Sequence, residues 1–507
     1  MKRERLFIVA NRLPVSITGE KEDAKIQPAS GGLVTAIRSY LLHSNNKYSD
    51  IFWAGVPGCS EDTWAEASVQ LKESHFTYLP VLAEKDQYDK YYNGFSNSVL
   101  WPLFHYFPTY AEYNLDQYED YLRVNEQFAE VLSAQCREGD TIWIHDYHLL
   151  PLAGMLRKKC PEIKIGFFLH IPFPSYEVFR LMPGKWQEEL LNGVLGADLI
   201  GFHTIDYAGH FQECIQKVLL LDHESSIIRY RQRVVKVGVF PISIDYQFFH
   251  DAYDKKEVHG IRQDLRKKMK GSKIIFSVDR LDYTKGVHNR LRAYDFFLQQ
   301  HPEYHGKVVF VINVIPSRDQ IPKYMERKQM IDVLISDINS RVGNLHWQPV
   351  IYRYNFMDFD EMVALYSICD VALITPLRDG MNLVAKEFVA SRKDRRGVLV
   401  LSEMAGAAKE LTGALMINPN DIQEMGEMIR EGLEMKPQEQ EDRMHKMQQR
   451  LARYDVNAWA ADFLKTLCII TKKQKAKEGK IMYNKRQTEC FLYALQSFKM
   501  TDVRFPS

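Results

Sequence analysis

Short runs rich in apolar and β-branched residues recur through the first half of the chain: RLFIVA at 5–10, TIWIH at 141–145, KIGFFL at 164–169, ADLIGF at 197–202 and RVVKVGVF at 233–240. Each of the middle three is followed by a stretch with apolar residues at helical spacing, the pattern of βαβ units on a parallel sheet. The alternation restarts with KIIFSV at 273–278, KVVFVINVI at 307–315, DVALIT at 370–375 and GVLVLS at 397–402. Two series predict an α/β fold of two doubly wound, Rossmann-like domains. Between them PISIDYQFFHDAYDKKEVHGIRQDLRKKMKG, 241–271, is a proline-led turn followed by a charged helical stretch. The junction is expected near Pro241, with a first domain of 1–240 and a second of 241–455. The stretch VNAWAADFLKTLCIITKKQKAKEGK predicts a long helix with a basic end, so 456–507 is expected to pack back across both domains.

Composition adds limits rather than a new picture. At 507 residues the chain exceeds the size at which one core stops growing. With 66 Lys+Arg against 65 Asp+Glu the net charge is +1, which gives no global reason to expect nucleic acid or an anionic membrane. Anion binding must then be local. Seven cysteines, Cys59, Cys136, Cys160, Cys214, Cys369, Cys468 and Cys490, are scattered without a CxxC pair, so neither a disulfide framework nor a zinc ribbon is indicated. The apolar run in MKRERLFIVANRLP is too short for a signal-peptide core or a membrane span. A cytoplasmic location is expected.

In open α/β sheets ligands collect beyond the carboxyl ends of strands. Unusual residues fall there repeatedly: Arg12 in IVANRLPVS, Asp146 in WIHDYHLL, His170 in FFLHIPFP, Arg280 and Lys285 in VDRLDYTKG, Arg318 in IPSR, Asp379 and Glu387 in TPLRDGMNLVAKE. Taken singly, Arg12 and Arg318 are ordinary surface arginines. His145 and His148 flank Asp146 at a spacing that suits a metal, but no third ligand is evident. His170 suits a structural role as well as a functional one. PASGGLVTAI, 28–37, is a paired-glycine turn opening a helix, fit for an anion but not spaced as a dinucleotide or P-loop fingerprint. DFD at 358–360 reads as a helix cap rather than a metal-binding pair. In YYNGFSNSVLWPLFHYF, 91–107, most rings belong to the core, yet Tyr92 and Trp101 beside Asn93 and Ser96 would suit a sugar.

The set holds no Ser-His-Asp spacing, no cysteine nucleophile with a partner and no carboxylate pair for glycoside hydrolysis. Cations at strand ends, a glycine turn and sugar-type aromatics suit a diphosphate leaving group, whose developing charge Arg and Lys stabilise. VHNRLRAYDFFLQQ puts Val287, Leu291, Tyr294 and Leu298 on one face, so Gly286 marks a helix start beside the two cations. Asp279 and Asp282 read as turn-formers that orient Arg280 and Lys285.

NRLPV, GGLVTAI, WAGVPG, YYNGFSN, WIHDYHL, FFLHIPFP, DRLDYTKG and LRDGMNLVAKE, in this order, resemble the trehalose-6-phosphate synthases, retaining glycosyltransferases of the GT-B fold. The resemblance runs from about residue 7 to about 420 and implies two domains with a cleft between them, the first for the acceptor and the second for the nucleotide sugar. The implied reaction moves glucose from UDP-glucose to glucose 6-phosphate, giving α,α-trehalose 6-phosphate and UDP. By the same resemblance Arg280 and Lys285 hold the donor diphosphate beside Gly32, Glu387 binds the ribose, backbone around Leu383 binds phosphate or ribose, and His170 and Asp379 address the donor glucose. Arg12, Tyr92, Trp101 and Arg318 grip glucose 6-phosphate, with Asp146 near the junction of the two sugars. Asp146, His170, Arg280, Lys285 and Asp379 are the implied catalytic set, without a covalent nucleophile. No metal or cofactor is required, and a divalent ion is at most stimulatory. The rivals are a relative using glycerol 3-phosphate or a cyclitol phosphate, and a non-catalytic sugar-phosphate-binding subunit. The implied partners are the two substrates, with self-association allowed and no nucleic acid or membrane. No aspartate-rich phosphatase motif follows, so the expected product is the phosphorylated disaccharide.

Overall fold

A computed structural model describes residues 4–19, 24–28, 32–43, 48–71, 76–269, 271–318 and 321–474. The first apolar series builds a nine-stranded sheet in the order Thr77–Pro80, Tyr48–Val56, Glu4–Arg12, Thr141–His145, Lys164–Phe168, Leu199–Phe202, Arg233–Val239, Ile227–Tyr230, His223–Glu224. Its first seven strands pair in parallel, and the last two form an antiparallel edge. The second series builds a six-stranded parallel sheet in the order Val350–Tyr354, Val308–Ile315, Lys273–Arg280, Val371–Ile374, Val398–Ser402, Leu415–Ile417. The central strands are buried along their length because crossover helices cover both faces, which is why they read as unbroken apolar runs. The fold is thus two doubly wound α/β sheets, as the two series predict.

Side chains set the helix starts. Asn114 caps Leu115–Gln135 by accepting from the N–H groups of Asp116 and Gln117, and Thr204 caps Ile205–Leu219 through Tyr207 N–H. Asp358 does precede the helix Phe359–Ile368, but its carboxylate makes no capping bond there. Residues 90–104 are unusual. Lys90–Leu100 is wound wider than an α-helix, with Trp101 N–H donating to the Ser96 carbonyl five residues back, and it kinks at Gly94 before the short helix Trp101–Phe104. Such wide turns concentrate at functional sites.

The two lobes meet at several places. Between the sheets, Val456 N–H bonds the Ile244 carbonyl and the Trp459 indole donates to the Phe240 carbonyl. The helix 456–474 then lays Trp459 and Phe463 against Trp143 of the first sheet, centroids 5.1 and 4.9 Å away. That return is the expected one for 456–474, and residues 475–507, with the basic end, lie outside the described residues. Among the described residues no helix is long and apolar enough to cross a membrane.

Candidate functional site

The strand Lys273–Arg280 ends in the turn that carries both second-lobe cations. Asp279 is not a turn-former. Its carboxylate makes a buried ion pair at 2.8 Å with Arg290 of the helix Val287–Gln300, because a strand residue one short of the end points into the sheet–helix interface. Asp282 does form the turn, accepting from Thr284 N–H at 2.9 Å through Oδ1. Gly286 ends the turn at φ +67°, and a Cβ there would meet the Thr375 carbonyl at 2.5 Å, so glycine is required both for the conformation and for the contact. Val287, Leu291, Tyr294 and Leu298 are buried on one face, as the periodicity predicts.

Arg280 is exposed and has no hydrogen bond or ion pair among the described residues. Lys285 is different: its Nζ lies 2.5 Å from Asp379 Oδ2, which also accepts from Asn382 Nδ2 at 3.1 Å. Asn382, in the left-handed region at φ +75°, caps the helix Leu383–Ser391 by accepting from Ala385 N–H. Leu383 is thereby the first residue of that helix. One turn on, Glu387 accepts from the Tyr366 phenol at 3.2 Å, and burial pushes its carboxyl up to about 7. Across the cleft the backbone of Gly380 lies so close to His170 that a Cβ would fall 2.1 Å from the His170 carbonyl. The Tyr207 phenol of the first lobe also donates to the Asp379 carbonyl, at 3.2 Å.

The opposite wall is aromatic. Arg12 leaves the first strand, donates to the Tyr88 phenol at 3.2 Å and lies over the Tyr92 ring at 5.3 Å. Tyr92 is stacked between Tyr88 and His148, with centroids 5.7 and 5.5 Å away. Arg318 reaches in from the second lobe, after the strand Val308–Ile315, with its guanidinium 4.2 Å above the Trp101 ring. It bonds Asp282 at 3.0 Å, the Tyr324 phenol at 2.6 Å and the Tyr147 phenol at 3.3 Å, and its backbone is left-handed at φ +54°. Burial alone would raise the Tyr92 phenol. The charges of Arg318, Arg12 and Arg280, drawn from both lobes, outweigh it and hold the group below its usual value.

Asp146 and His170 lie between the walls. Asp146 adopts φ +77°, an uncommon conformation for a non-glycine residue, and its Oδ1 accepts from His170 N–H at 3.2 Å. Burial raises its carboxyl to about 6, against hydrogen bonds from Tyr147 and His170 and the charges of Arg280 and Arg318. His145 and His148 do not converge. His145 Nδ1 is 3.0 Å from His170 Nε2, whereas His148 stacks on Tyr92 and Tyr147. Burial lowers His145 to about 3 and holds His170 well below the ordinary imidazole value, so both are neutral near pH 7. Among the described residues no three His, Cys, Asp or Glu side chains form a metal-binding group.

Arg12 thus packs on Tyr92 and Arg318 on Trp101, Lys285 pairs with Asp379 just before the helix that carries Leu383 and Glu387, and Asp146 meets His170. Gly32 opens the helix Gly32–His43, but the turn before it, 29–31, lies outside the described residues. The sequence pattern gives no signal for Tyr324, Tyr147 or Arg378, the last lying over the Tyr106 ring at 3.8 Å, and it marks His145 only through its spacing from His148. Asp282 is marked as a carboxylate beside the two cations.

Residues 4–468 match the model of glycosyltransferase family 20. The chain is 45% identical over 470 residues to a bifunctional trehalose-6-phosphate synthase/phosphatase of Thermoproteus tenax, covering 91% of this chain and 63% of that protein. The chain thus spans less than two thirds of the length of that relative. It is 40% identical over 473 residues to an α,α-trehalose-phosphate synthase [UDP-forming] of Yarrowia lipolytica, covering 91% of this chain and 99% of that one. Among solved structures, the α,α-trehalose-phosphate synthase (UDP-forming) of Burkholderia xenovorans in complex with glucose-6-phosphate superposes with a TM-score of 0.82 at 33% identity, over 91% of this chain and 99% of that one. The two-lobed fold is the GT-B fold of these enzymes.

Proposed function

Because the chain belongs to glycosyltransferase family 20, we propose that it transfers glucose from UDP-glucose to glucose 6-phosphate with retention, forming α,α-trehalose 6-phosphate and UDP. The observation that carries this reading is the placement of Arg318, which spans from Tyr147 and the Trp101 ring of the first lobe to Asp282 in the turn that carries Lys285, since a transferase joining a diphosphate donor to a phosphorylated acceptor needs cations where the two lobes meet. The solved relative with glucose-6-phosphate and the relatives named for UDP formation support the choice of substrates. We assign residues 1–240 with 456–507 to the acceptor-binding domain and 241–455 to the donor-binding domain.

In the proposed roles, Arg12 and Arg318 take the acceptor phosphate while Tyr92 and Trp101 shape its pocket. Arg280 takes the diphosphate as an uncommitted charge. Lys285 acts jointly with Asp379: the carboxylate already holds the ammonium, so the pair offers the diphosphate an oriented lysine and the donor sugar a carboxylate. Neutral His170 addresses the donor hydroxyls, Glu387 the ribose, the backbone around Leu383 the phosphate or ribose, and Gly32 the diphosphate. The bond from the glucose anomeric carbon to the diphosphate oxygen breaks, the acceptor's anomeric hydroxyl bonds the same carbon on the same face, and its proton passes to the departing oxygen. Asp146 lies at the sugar junction and orients the acceptor. No step requires a metal ion or a covalent nucleophile.

The test is incubation of the protein with UDP-glucose and glucose 6-phosphate, reading UDP release together with the product's mass and anomeric configuration. Glycerol 3-phosphate and a cyclitol phosphate serve as competing acceptors. A non-reducing α,α-linked phosphodisaccharide is expected; preference for another acceptor, or binding without turnover, would sink the proposal.

A further inference from the structure

Asp282 is placed as no other side chain of the site is. Its Oδ1 accepts from Thr284 N–H at 2.9 Å, inside the turn that carries Lys285, and its backbone carbonyl accepts from Lys285 N–H at 3.1 Å. Its Oδ2 accepts from Arg318 at 3.0 Å and from the Tyr324 phenol at 3.1 Å. One carboxylate therefore has one oxygen on the donor-side turn and the other on the acceptor-side arginine. Both members of the Asp282–Arg318 pair are buried, with side chains 6% and 8% exposed, so solvent does little to screen them. Tyr324 closes the triangle by accepting from Arg318 at 2.6 Å, and its ring packs against Tyr283 of the same turn with centroids 5.4 Å apart. Arg318 adopts a left-handed conformation that is uncommon for a non-glycine residue. The donor-side turn and the acceptor-side guanidinium thus meet at one carboxylate, and the Tyr324 and Tyr147 phenols and the Trp101 ring hold the guanidinium on its other sides.

We propose that Asp282 is a positioning residue that couples the donor and acceptor half-sites, so that occupancy of one is felt at the other through its two carboxylate oxygens. The inference rests on the assignment of UDP-glucose and glucose 6-phosphate as substrates. Coupling of this kind is reciprocal: if UDP tightens glucose 6-phosphate by some factor, glucose 6-phosphate tightens UDP by the same factor.

The test is calorimetric titration of glucose 6-phosphate with and without saturating UDP, and the reverse, on the wild-type protein and on Asp282→Asn. The wild-type ratio of affinities is expected to be about 5-fold or more, and to fall to about 1 in Asp282→Asn while each ligand alone still binds within about tenfold of wild type. A purely structural role would weaken both single affinities and leave the ratio untouched. Tyr324→Phe keeps the carboxylate and the turn but removes one donor to Oδ2 and the phenol oxygen that accepts from Arg318, and is expected to lower the ratio about twofold. An unchanged ratio in a folded Asp282→Asn overturns the proposal; if that variant does not fold, an unchanged ratio in Tyr324→Phe overturns it. A wild-type ratio of 1 overturns it as well and leaves the substrate assignment standing. Wild-type protein that binds UDP but no glucose 6-phosphate at all sinks the assignment and this inference together.

Discussion

Arg318 and Arg280 stand in the same site and are treated in opposite ways. Arg318 is stacked on Trp101, bonded to Asp282, Tyr324 and Tyr147, and so held on several sides by the protein itself. Arg280 is exposed and uncommitted. The difference fits two tasks. An acceptor phosphate must be held in one orientation so that a single hydroxyl attacks, and a pre-ordered arginine loses little further freedom on binding it. A leaving diphosphate gains charge only as the bond breaks, so the useful cation is one whose field no local carboxylate has already cancelled.

Arg280→Ala is the strongest way to break this contrast. It is expected to lower kcat by about 100- to 1,000-fold with a small change in the acceptor KM, measured by UDP release. Near-normal kcat would show that Lys285 suffices and that Arg280 is decoration. Next in size, Arg318→Ala should raise the KM for glucose 6-phosphate by about 10- to 100-fold, with a smaller effect on the KM for UDP-glucose. Arg318→Lys should not restore it, because lysine offers neither a planar fork nor a face to stack. Equal effects on both substrates would erase the division of labour. Trp101→Leu removes the surface under Arg318 together with contacts to His105 and Tyr147, and an increase of about 3- to 30-fold in the acceptor KM is expected, with the fold checked by circular dichroism. The smallest effect concerns the donor wall. Glu387 ionises near 7, and the carboxylate is the better acceptor for ribose hydroxyls, so the KM for UDP-glucose should fall by about three- to tenfold from pH 6 to pH 8. Glu387→Gln should flatten that profile; a KM that rises with pH would remove Glu387 from donor binding.

The parallel sheets and the strand-end cations were legible because both depend on local pattern: a buried parallel strand is an apolar run, and the residues just past its carboxyl end face the cleft. Pairings were not. Lys285 finds Asp379 at a separation of 94 residues, and Arg318 finds Tyr147 at 171, distances over which no periodicity carries information. The spacing of His145 and His148 suggests a shared ligand, yet one lies in the strand and the other in the turn after it, so their rings face different neighbours. Asp279 and Asp282 look alike in the sequence and differ because strand alternation sends the first into the interior against Arg290. Motifs name the candidate residues; which charge meets which partner required three dimensions.

The helix 456–474 has a consequence for how this molecule can be divided. It comes after the second sheet in the chain, yet its Trp459 and Phe463 cover Trp143 and Phe168 of the first. A protease cut or a gene fusion made near Pro241 therefore does not release two self-sufficient halves, since the first half would expose the apolar face that the later helix conceals. Anyone wishing to isolate the first lobe has to supply that helix as well, joined by a short linker or added as a peptide, and during synthesis the first lobe is completed only after the second has been made.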